Sequence, residues 1–270
     1  MTWSRALVIA WVVSELSPGR IPPPHRALLL LEGRALLELA ALLPAYPFLR
    51  RAPRGDGHPV LVLPGFMASD VSTRPLRAFL RDRGYHVHGW RLGRNRGPST
   101  DVTLGMAARL HALAERHDRR VSLVGWSLGG VYARELARRF PDVVRQVITL
   151  ASPFRDVDAS NVPDLLRQRR GQHPDEAALR AQLAAPIPVP ATAIYSRTDG
   201  IVAWRSCCEQ PGPRAENLEV VASHCGIGHH PIVLLTIADR LAQPEGAWTP
   251  FVPPRGWRWP LVPRPLAATA

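Results

Sequence analysis

The sequence predicts an α/β fold built on a doubly wound, mostly parallel sheet of about six strands. Two observations support this prediction. Short runs that are apolar at nearly every position, such as residues 58–65, 121–126 and 143–152, alternate along the chain with longer helical patterns. Strands of that kind are buried on both faces, as in parallel sheets covered by helices. Right-handed crossovers then place helices on both faces and bring the ends of the strands to one ligand-binding rim.

Each element has limits that the sequence marks. The predicted strands are residues 58–65, 85–90, 121–126, 143–152, 191–196 and 217–222. The predicted helices are residues 72–83, 102–117, 127–140 and 231–241. Serine or threonine at a helix start and glycine or proline after its end are typical limits, as Ser72 and Gly84 are for the first helix. Pro141 ends the third helix in the same way.

Additions flank a single core. The chain has 270 residues, of which 46% are hydrophobic, and this is enough for one sizeable core. We place the α/β core at residues 56–243, with a small cap formed by residues 153–190 inserted into it. Residues 1–55 form an N-terminal helical extension. Residues 244–270 are rich in proline and tryptophan, and we expect an extended, loosely ordered tail there.

The extension contains one strongly apolar segment, residues 27–43, which has no proline and many helix-favouring residues. Such a helix needs cover. We favour packing against the body of the fold, and the alternatives are docking on a membrane or lining an apolar substrate entrance. The apolar run at residues 6–13 is too short to span a bilayer, and no cleavage pattern follows it. We therefore expect a cytoplasmic protein, for which any membrane contact would be peripheral.

The composition argues against a nucleic-acid-binding protein, a disulfide scaffold and a cysteine zinc knuckle. The formal net charge is +12, which could indicate a nucleic-acid partner. However, all 34 basic residues are arginines scattered along the chain, a profile that a GC-rich coding bias explains, so we expect no nucleic-acid binding. Cys207, Cys208 and Cys225 contain no C-x-x-C pair, which excludes a disulfide scaffold and a cysteine zinc knuckle. One local bridge, from Cys207 or Cys208 to Cys225, stays open.

The most informative string is VSLVGWSLGG, residues 121–130. It contains G-x-S-x-G between a predicted strand and a predicted helix, which is the context that this motif requires. A turn this tight strains the serine backbone, and glycines at 125 and 129 remove side chains that would collide. The Ser127 hydroxyl would then stand above the sheet, beside the free N–H groups of a helix N-terminus. A serine that only caps the helix is the alternative.

With this motif the chain resembles the α/β-hydrolase family, in particular its lipase- and esterase-like members. The resemblance covers residues 56–243, and four strings carry it: LPGF (63–66), GWSLGG (125–130), SRTDGIV (196–202) and SHCGIGHHP (223–231). It implies the α/β-hydrolase fold and a serine nucleophile. It also implies that nucleophile, acid and base follow one another along the chain in the order Ser, Asp, His.

Positions of this sequence match that order. Ser127 would be the nucleophile, Asp199 the acid and His224 the base. Asp199 lies in a Thr-Asp-Gly turn after the fifth predicted strand, and His224 directly follows the sixth. Asp156 and Asp158, which follow the fourth strand, are the rival acids.

Two more histidines, His229 and His230, lie close to His224 and directly before the last predicted helix. Adjacent histidines point apart in most backbones, so a zinc site is the weaker interpretation and we expect no metal. We interpret both as bystanders. Cys225 is a possible thiol nucleophile beside His224, and we interpret it as structural because its glycine-rich loop lacks a helix N-terminus directed at it.

The resemblance also assigns the groups that would stabilise a tetrahedral oxyanion, the backbone N–H groups of Phe66 and Leu128. Because this chain has Leu-Pro-Gly-Phe where many members have His-Gly, the exact first donor stays open, and Met67 is adjacent. Met67, Phe154 and Trp204 are the candidates for lining the substrate pocket.

We therefore predict hydrolysis of carboxylic esters, with apolar acyl or lipid esters as the substrate class and no cofactor. Acyl transfer to an acceptor other than water, by the same three residues, is one alternative. A catalytically silent binding protein with this fold is the other.

Overall fold

The computed structural model describes residues 20–162, 176–253 and 262–266. Within these ranges one sheet has the strand order β2-β1-β3-β4-β5-β6-β7. The strands are β1 (Pro59–Leu63), β2 (His86–Gly89), β3 (Val121–Trp126), β4 (Val144–Leu150), β5 (Ala191–Tyr195), β6 (Ala215–Glu219) and β7 (Arg264–Pro265). The first six strands pair in parallel, which confirms the predicted sheet, and the two-residue β7 pairs antiparallel with β6.

Helices cover both faces of the sheet. They are α1 (Ala35–Ala40), α2 (Leu42–Leu49), α3 (Arg74–Asp82), α4 (Thr100–His117), α5 (Leu128–Arg139), α6 (Glu176–Ala184) and α7 (Pro231–Leu241). Short 3-10 helices span Arg26–Arg34, Trp204–Cys207 and Ile227–His229. Because side chains alternate along a strand, Val60 and Val62 pack with α3 and α7 on one face, whereas Leu61 and Leu63 pack with α4 and α5 on the other.

Local details differ from the predicted limits. The sixth strand begins at Ala215 and ends at Glu219, so residues 220–222 leave the sheet before His224. The segment predicted as one helix over residues 27–43 begins as 3-10 turns and continues to Leu49. The 3-10 turns coincide with side chains bonded to loops of the core, so tertiary contacts set the backbone there.

The predicted cap and tail are described only in part. Residues 163–175 of the cap lie outside the described ranges, as do tail residues 254–261, which include Trp257 and Trp259. Helix α6 belongs to the cap segment and packs against α5. In the tail, β7 was not predicted. It forms because the N–H of Leu266 reaches the carbonyl of Asn217 at 2.9 Å and pairs the open edge of β6.

No helix in the described part of the chain is both long and apolar enough to cross a bilayer. The three cysteines carry free thiols, with Cys207 and Cys208 buried and Cys225 exposed. The local bridge left open by the sequence is therefore not formed in this structure.

A polar cluster closes the amino ends of β1 and β3, with His58 and Ser122 buried and Asp56 exposed at its edge. The His58 ring bonds Asp56 Oδ1 through Nδ1 at 2.5 Å and Ser122 Oγ through Nε2 at 2.8 Å. Asp56 also accepts from Arg119 and Arg145, at 2.7 and 2.9 Å. His58 and Ser122 have no exposed surface. Burial, with the charge of Arg145, lowers the pKa of His58 to about 4 despite the nearby Asp56 carboxylate, so the ring is neutral near pH 7.

His58 makes stability depend on pH. Its pKa is depressed in the folded state, so as pH falls below the unfolded value of about 6.5 the unfolded chain binds a proton that the native protein does not. Between about pH 7.5 and pH 5 this costs on the order of 2 kcal/mol. We predict that His58→Gln removes that part of the loss, as measured by the free energy of unfolding in denaturant at both pH values. An equal acid loss in both proteins would contradict the assignment.

Candidate active site

Ser127 lies in the turn between β3 and α5, with φ 53° and ψ −123°, a backbone conformation that is strained for any residue with a side chain. The strain is held by close packing. A Cβ at position 125 would overlap the backbone of Gly129 and Gly130, and one at 129 would overlap the carbonyls of Leu63 and Pro64. The turn therefore fits only with glycine on both sides, and it leaves Ser127 partly exposed between buried neighbours.

Asp199 follows β5 and is buried, and both of its carboxylate oxygens are hydrogen-bonded. Oδ1 accepts the N–H groups of Ile201 and Val202, each at 2.8 Å, and Oδ2 contacts His224 Nδ1 at 2.7 Å. The rival Asp156 instead bonds the N–H groups of Ile21 and Asp158. Of the aspartates singled out by the sequence, Asp199 is the one that the structure pairs with His224.

His224 lies in the loop after β6 and is buried. The indole Nε1 of Trp126 donates to its carbonyl at 3.1 Å, which ties this loop to the end of β3. Burial by itself lowers the pKa of an imidazole, but the charge and hydrogen bond of Asp199, together with the charge of Glu32, outweigh it and raise the pKa of His224 above its ordinary value. With Nδ1 donating to Asp199, the lone pair on Nε2 is free to accept a proton.

Ser127 and His224 follow strands that end at the same rim, yet within the described residues no hydrogen bond joins Ser127 Oγ to the imidazole. Hydrogen bonds between a nucleophile and its base are often long in a free enzyme and shorten when substrate is bound. The structure therefore contains a formed Asp199–His224 pair and a serine that is not hydrogen-bonded to it.

The other residues of the histidine-rich loop have structural contacts. His229 Nε2 donates to the carbonyl of Ala35 at 3.1 Å. His230 caps α7 by accepting the N–H of Ile232 at 3.3 Å. Although Cys225 is partly open to solvent, the protein around its thiol and the neighbouring Glu32 carboxylate raise its pKa to about 11, so the thiol stays protonated near pH 7. No cluster of three or more potential ligands for a metal ion occurs in the described ranges.

Two backbone donors lie beside Ser127. In the described part of the chain neither the N–H of Phe66 nor that of Leu128 donates a hydrogen bond, whereas the N–H of Met67 donates to Asn95 O at 2.6 Å. Gly65 lies directly against Ser127, since a Cβ placed there would be 3.2 Å from the serine Cβ. The sequence left the N–H groups of Phe66 and Met67 as alternative donors in this loop. Of these two, the N–H of Phe66 is the one without a hydrogen-bond partner among the described residues, so it is available to bind an oxyanion.

Asn95 was not predicted, and it holds the Phe66 loop in place. Its Nδ2 donates to Pro64 O at 2.9 Å, and its backbone N–H donates to Ala68 O at 2.8 Å. Its Oδ1 accepts the N–H of Gly97 at 3.2 Å, and the whole residue is buried. These bonds fix the loop on both sides of Phe66. An asparagine in the string GRNRGP gives no sequence signal for contacts 27–31 positions away.

The predicted lining residues occupy different surroundings. Met67 is partly exposed at the rim, with φ 58°. Phe154 is 1% exposed, and the Arg134 guanidinium lies 3.8 Å above its ring, so it belongs to the core beneath the rim. Trp204 stacks on Tyr195, with ring centroids 5.5 Å apart. Together with Asp199, Trp204 lines a cavity of about 230 Å³.

A larger cleft of about 510 Å³ is lined by residues of α4, α5 and α6, and Leu128, the residue after Ser127, is one of them. Its walls are mostly apolar. The large apolar side chains that line it are Leu104, Met106, Leu128, Val131, Leu136, Phe140, Val157, Leu179 and Leu183. Ser127 and His224 are not among its lining residues, so the cleft adjoins the site rather than containing it.

Three side chains of the extension were also not predicted to act at the site. Glu32, Arg34 and Glu38 bond the loops that contain Asp199 and His224. Arg34 and Glu38 are recognisable in sequence only as an i,i+4 pair on an apolar segment, and that pattern does not reveal what they contact.

The chain is similar to one protein family and to several solved structures. A model of the alpha/beta hydrolase family matches residues 60–268. The comparison with curated proteins found no match. Lipase B of Aspergillus fumigatus aligns with a TM-score of 0.53 at 17% identity, over 71% of this chain and 54% of that one. Mature Bacillus licheniformis lipase BlEst2 aligns with a TM-score of 0.52 at 18% identity, over 71% and 94%. This chain thus spans about half the length of the Aspergillus lipase.

If the Phe66 N–H is an oxyanion donor, as the sequence predicts, Asn95→Ala should lower kcat toward an ester by about 10- to 100-fold with little change in KM, because that N–H loses its fixed position. Steady-state kinetics on a p-nitrophenyl ester measures this. Asn217→Ala is the matched control. Like the Asn95 side chain, the Asn217 side chain donates to one backbone carbonyl and accepts from one backbone N–H, both of Glu209, and it lies away from the Phe66 loop. A comparable kcat loss in both variants would mean that Asn95 acts through stability alone.

Proposed function

Because the chain belongs to the alpha/beta hydrolase family, we propose that it is a serine hydrolase that cleaves carboxylic esters with Ser127, His224 and Asp199 as its catalytic residues. One observation supports this proposal most strongly. A serine held in a strained strand-to-helix turn lies at the same rim as a buried histidine whose Nδ1 is 2.7 Å from an aspartate oxygen. This is the arrangement by which a hydroxyl is activated as a nucleophile.

The proposed reaction has two halves. Ser127 Oγ forms a bond to the acyl carbon as its proton passes to His224 Nε2, and the tetrahedral oxyanion binds the N–H groups of Phe66 and Leu128. Collapse breaks the ester bond, and the leaving alkoxide takes the proton from His224. Water then attacks the acyl-serine with His224 again accepting a proton, which releases the carboxylic acid and restores Ser127.

Asp199 stabilises the imidazolium that exists in both halves. Its charge, with that of Glu32, raises the pKa of His224 above the ordinary value. Only neutral His224 can accept the serine proton, so kcat/KM of the proposed reaction declines as pH falls through that raised pKa.

The apolar cleft supports an apolar acyl group as the substrate. Leu128, whose N–H is a proposed oxyanion donor, is one of its lining residues, and an acyl chain bound to Ser127 could extend along its leucine-rich walls. Burial of each methylene in such a cleft contributes roughly 0.8 kcal/mol. On this basis we propose medium or long acyl esters over acetate esters.

A second serine–histidine–aspartate arrangement is formed by Ser122, His58 and Asp56. It is the alternative location for the catalytic site in this chain. It lies at the opposite end of the sheet, has no exposed serine or histidine surface, and contains an imidazole whose pKa is lowered to about 4. Ser122 is in a strand, so no helix N-terminus directs N–H groups at its hydroxyl. We therefore assign this cluster a structural role.

The two serines provide a matched test. We predict that Ser127→Ala lowers turnover of p-nitrophenyl esters by at least about 1000-fold and abolishes labelling by a fluorophosphonate probe, because the nucleophile is lost. Ser122→Ala should keep the labelling and most of the turnover.

The acyl-chain preference is tested with p-nitrophenyl esters from acetate to palmitate. The wild-type kcat/KM should be higher for medium or long acyl chains than for acetate.

The opposite pattern, with turnover surviving in Ser127→Ala and lost in Ser122→Ala, would transfer the nucleophile to the other cluster. Absence of labelling and turnover in the wild-type protein would instead favour a binding role for the fold.

A further inference from the structure

The extension helices, residues 26–49, lie against the two loops that present Asp199 and His224. The approach is close: a Cβ on Gly200 would overlap the backbone of Leu28 and Leu29. The loop after Asp199 is therefore shaped to receive the extension.

Glu32 connects these two loops directly. Its Oε1 accepts the N–H of Gly200 at 2.9 Å and the N–H of His224 at 3.0 Å, and its Oε2 accepts the N–H of Cys225 at 2.9 Å. One carboxylate thus bonds the residue after the proposed acid, the proposed base itself and the residue after the base.

Arg34 and Glu38 add a second connection. Arg34 Nη2 donates to Thr198 O at 3.1 Å and to Thr198 Oγ1 at 2.6 Å, and its Nε donates to Glu38 at 3.1 Å. Glu38 accepts the backbone N–H of Ser223 at 2.8 Å and its hydroxyl at 2.5 Å. Residues 198–200 and 223–225 are therefore held together from outside the sheet.

We propose that Glu32 is a positioning residue of the active site, which fixes the distance between Asp199 and His224 and stabilises the imidazolium formed during catalysis. The inference rests on the proposed function. Glu32 lies before residue 60, where the match to the family model begins, so the family's motifs do not include it. Three charge-assisted hydrogen bonds accepted by one carboxylate explain how a single side chain holds both loops.

The charges around His224 favour this role. Asp199 faces the ring from the β5 loop, and Glu32 adds a second negative charge from the extension. Arg34 and Glu38 form an ion pair with each other, so their charges largely offset. Burial lowers the pKa of His224, and the two carboxylates Asp199 and Glu32 reverse that effect.

The test measures the His224 pKa by NMR titration of histidine-labelled protein, with the resonance assigned from His224→Asn. In Glu32→Gln the pKa should fall by about half a unit or more, and the acid limb of kcat/KM should move to lower pH with it. Because Gln keeps one acceptor oxygen, its kcat should fall less than that of Glu32→Ala, for which we expect a loss of about 100-fold. Glu245→Gln, a surface carboxylate paired with Arg120, is the control.

A fall in the His224 pKa in Glu32→Gln, absent in Glu245→Gln, supports the proposal. An unchanged pKa with only a loss of kcat would overturn it, since a structural support alone would give that result. The NMR readout does not need turnover, so failure of the proposed function, seen as no labelling of Ser127 in wild-type protein, is distinguished from failure of this inference.

The outer face of the same helices provides an independent observation. Nine of the sixteen exposed large apolar side chains in the described ranges lie between residues 29 and 48, so exposed apolar surface is concentrated there. The most exposed are Leu30 (86%), Leu43 (82%), Leu36 (75%) and Leu37 (73%). The packing on the core that the sequence favoured is therefore one-sided, and this face has no cover within the described residues.

The charges around this apolar face indicate whether it suits a membrane or a second copy of the chain. Between residues 26 and 54 the acidic residues are Glu32 and Glu38, and both are bonded to core loops. The exposed charges are all arginine, at Arg26, Arg50, Arg51 and Arg54. A leucine-rich face with basic ends and no outward carboxylate complements anionic headgroups above acyl chains. A second copy of the chain would bring the same arginines together.

The geometry points to this face as a peripheral docking surface for an anionic lipid bilayer. We predict that the full chain cosediments with phosphatidylglycerol-containing vesicles, more weakly as salt rises, and poorly with pure phosphatidylcholine. Leu36→Gln with Leu37→Gln should weaken binding by about tenfold or more. Val252→Gln, which changes a 79% exposed side chain away from the extension, should leave binding unchanged.

Equal vesicle binding by the double variant and wild type would overturn this assignment, as would absence of binding to phosphatidylglycerol. If light scattering finds a wild-type dimer that the double variant dissociates, the face belongs to a second copy instead of a membrane.

Discussion

The pairing of the buried Asp199 carboxylate with His224 is the interaction around which the rim of this protein is arranged. A carboxylate that is 3% exposed loses most of its hydration, and the loss is tolerable only when hydrogen bonds replace it. Two backbone N–H groups and one imidazole do so. Because each of these partners has a fixed direction, the carboxylate specifies where the loop after β5 turns and how the His224 ring is oriented.

Much of the fold, and the candidate site residues, could be predicted from the sequence for local reasons. Apolar runs gave the parallel strands, since burial on both faces leaves a pattern within a few residues. Ser127 became the candidate nucleophile because its turn demands glycines at fixed spacing. Asp199 and His224 became candidates from their places after strands, where the ends of a parallel sheet converge, together with the resemblance to the family.

The residues that sequence reasoning missed act at long range. Glu32 meets its partners across 168 to 193 positions, and Asn95 reaches Pro64 across 31. A glutamate in a leucine-rich helix looks the same whether it faces solvent or accepts three backbone N–H groups. The cluster of Ser122, His58 and Asp56 shows that hydrogen-bond geometry alone does not identify a catalytic site. Its hydrogen bonds resemble those of a catalytic site, but burial and a depressed imidazole pKa make it a structural element.

The span of the Glu32 contacts has a consequence for the order in which the chain matures. Synthesis proceeds from the N-terminus, so Glu32 leaves the ribosome long before Gly200, His224 and Cys225, the donors that it binds. Until those loops emerge, Glu32 lacks all three of its backbone donors, whereas Glu38 can pair with the neighbouring Arg34. Contacts this distant close late in folding, because the loop-closure entropy must be overcome first. The contacts that hold the loops of Asp199 and His224 together are therefore among the last features of the molecule to form, and a chain stalled before residue 225 would hold the Ser127 turn without them.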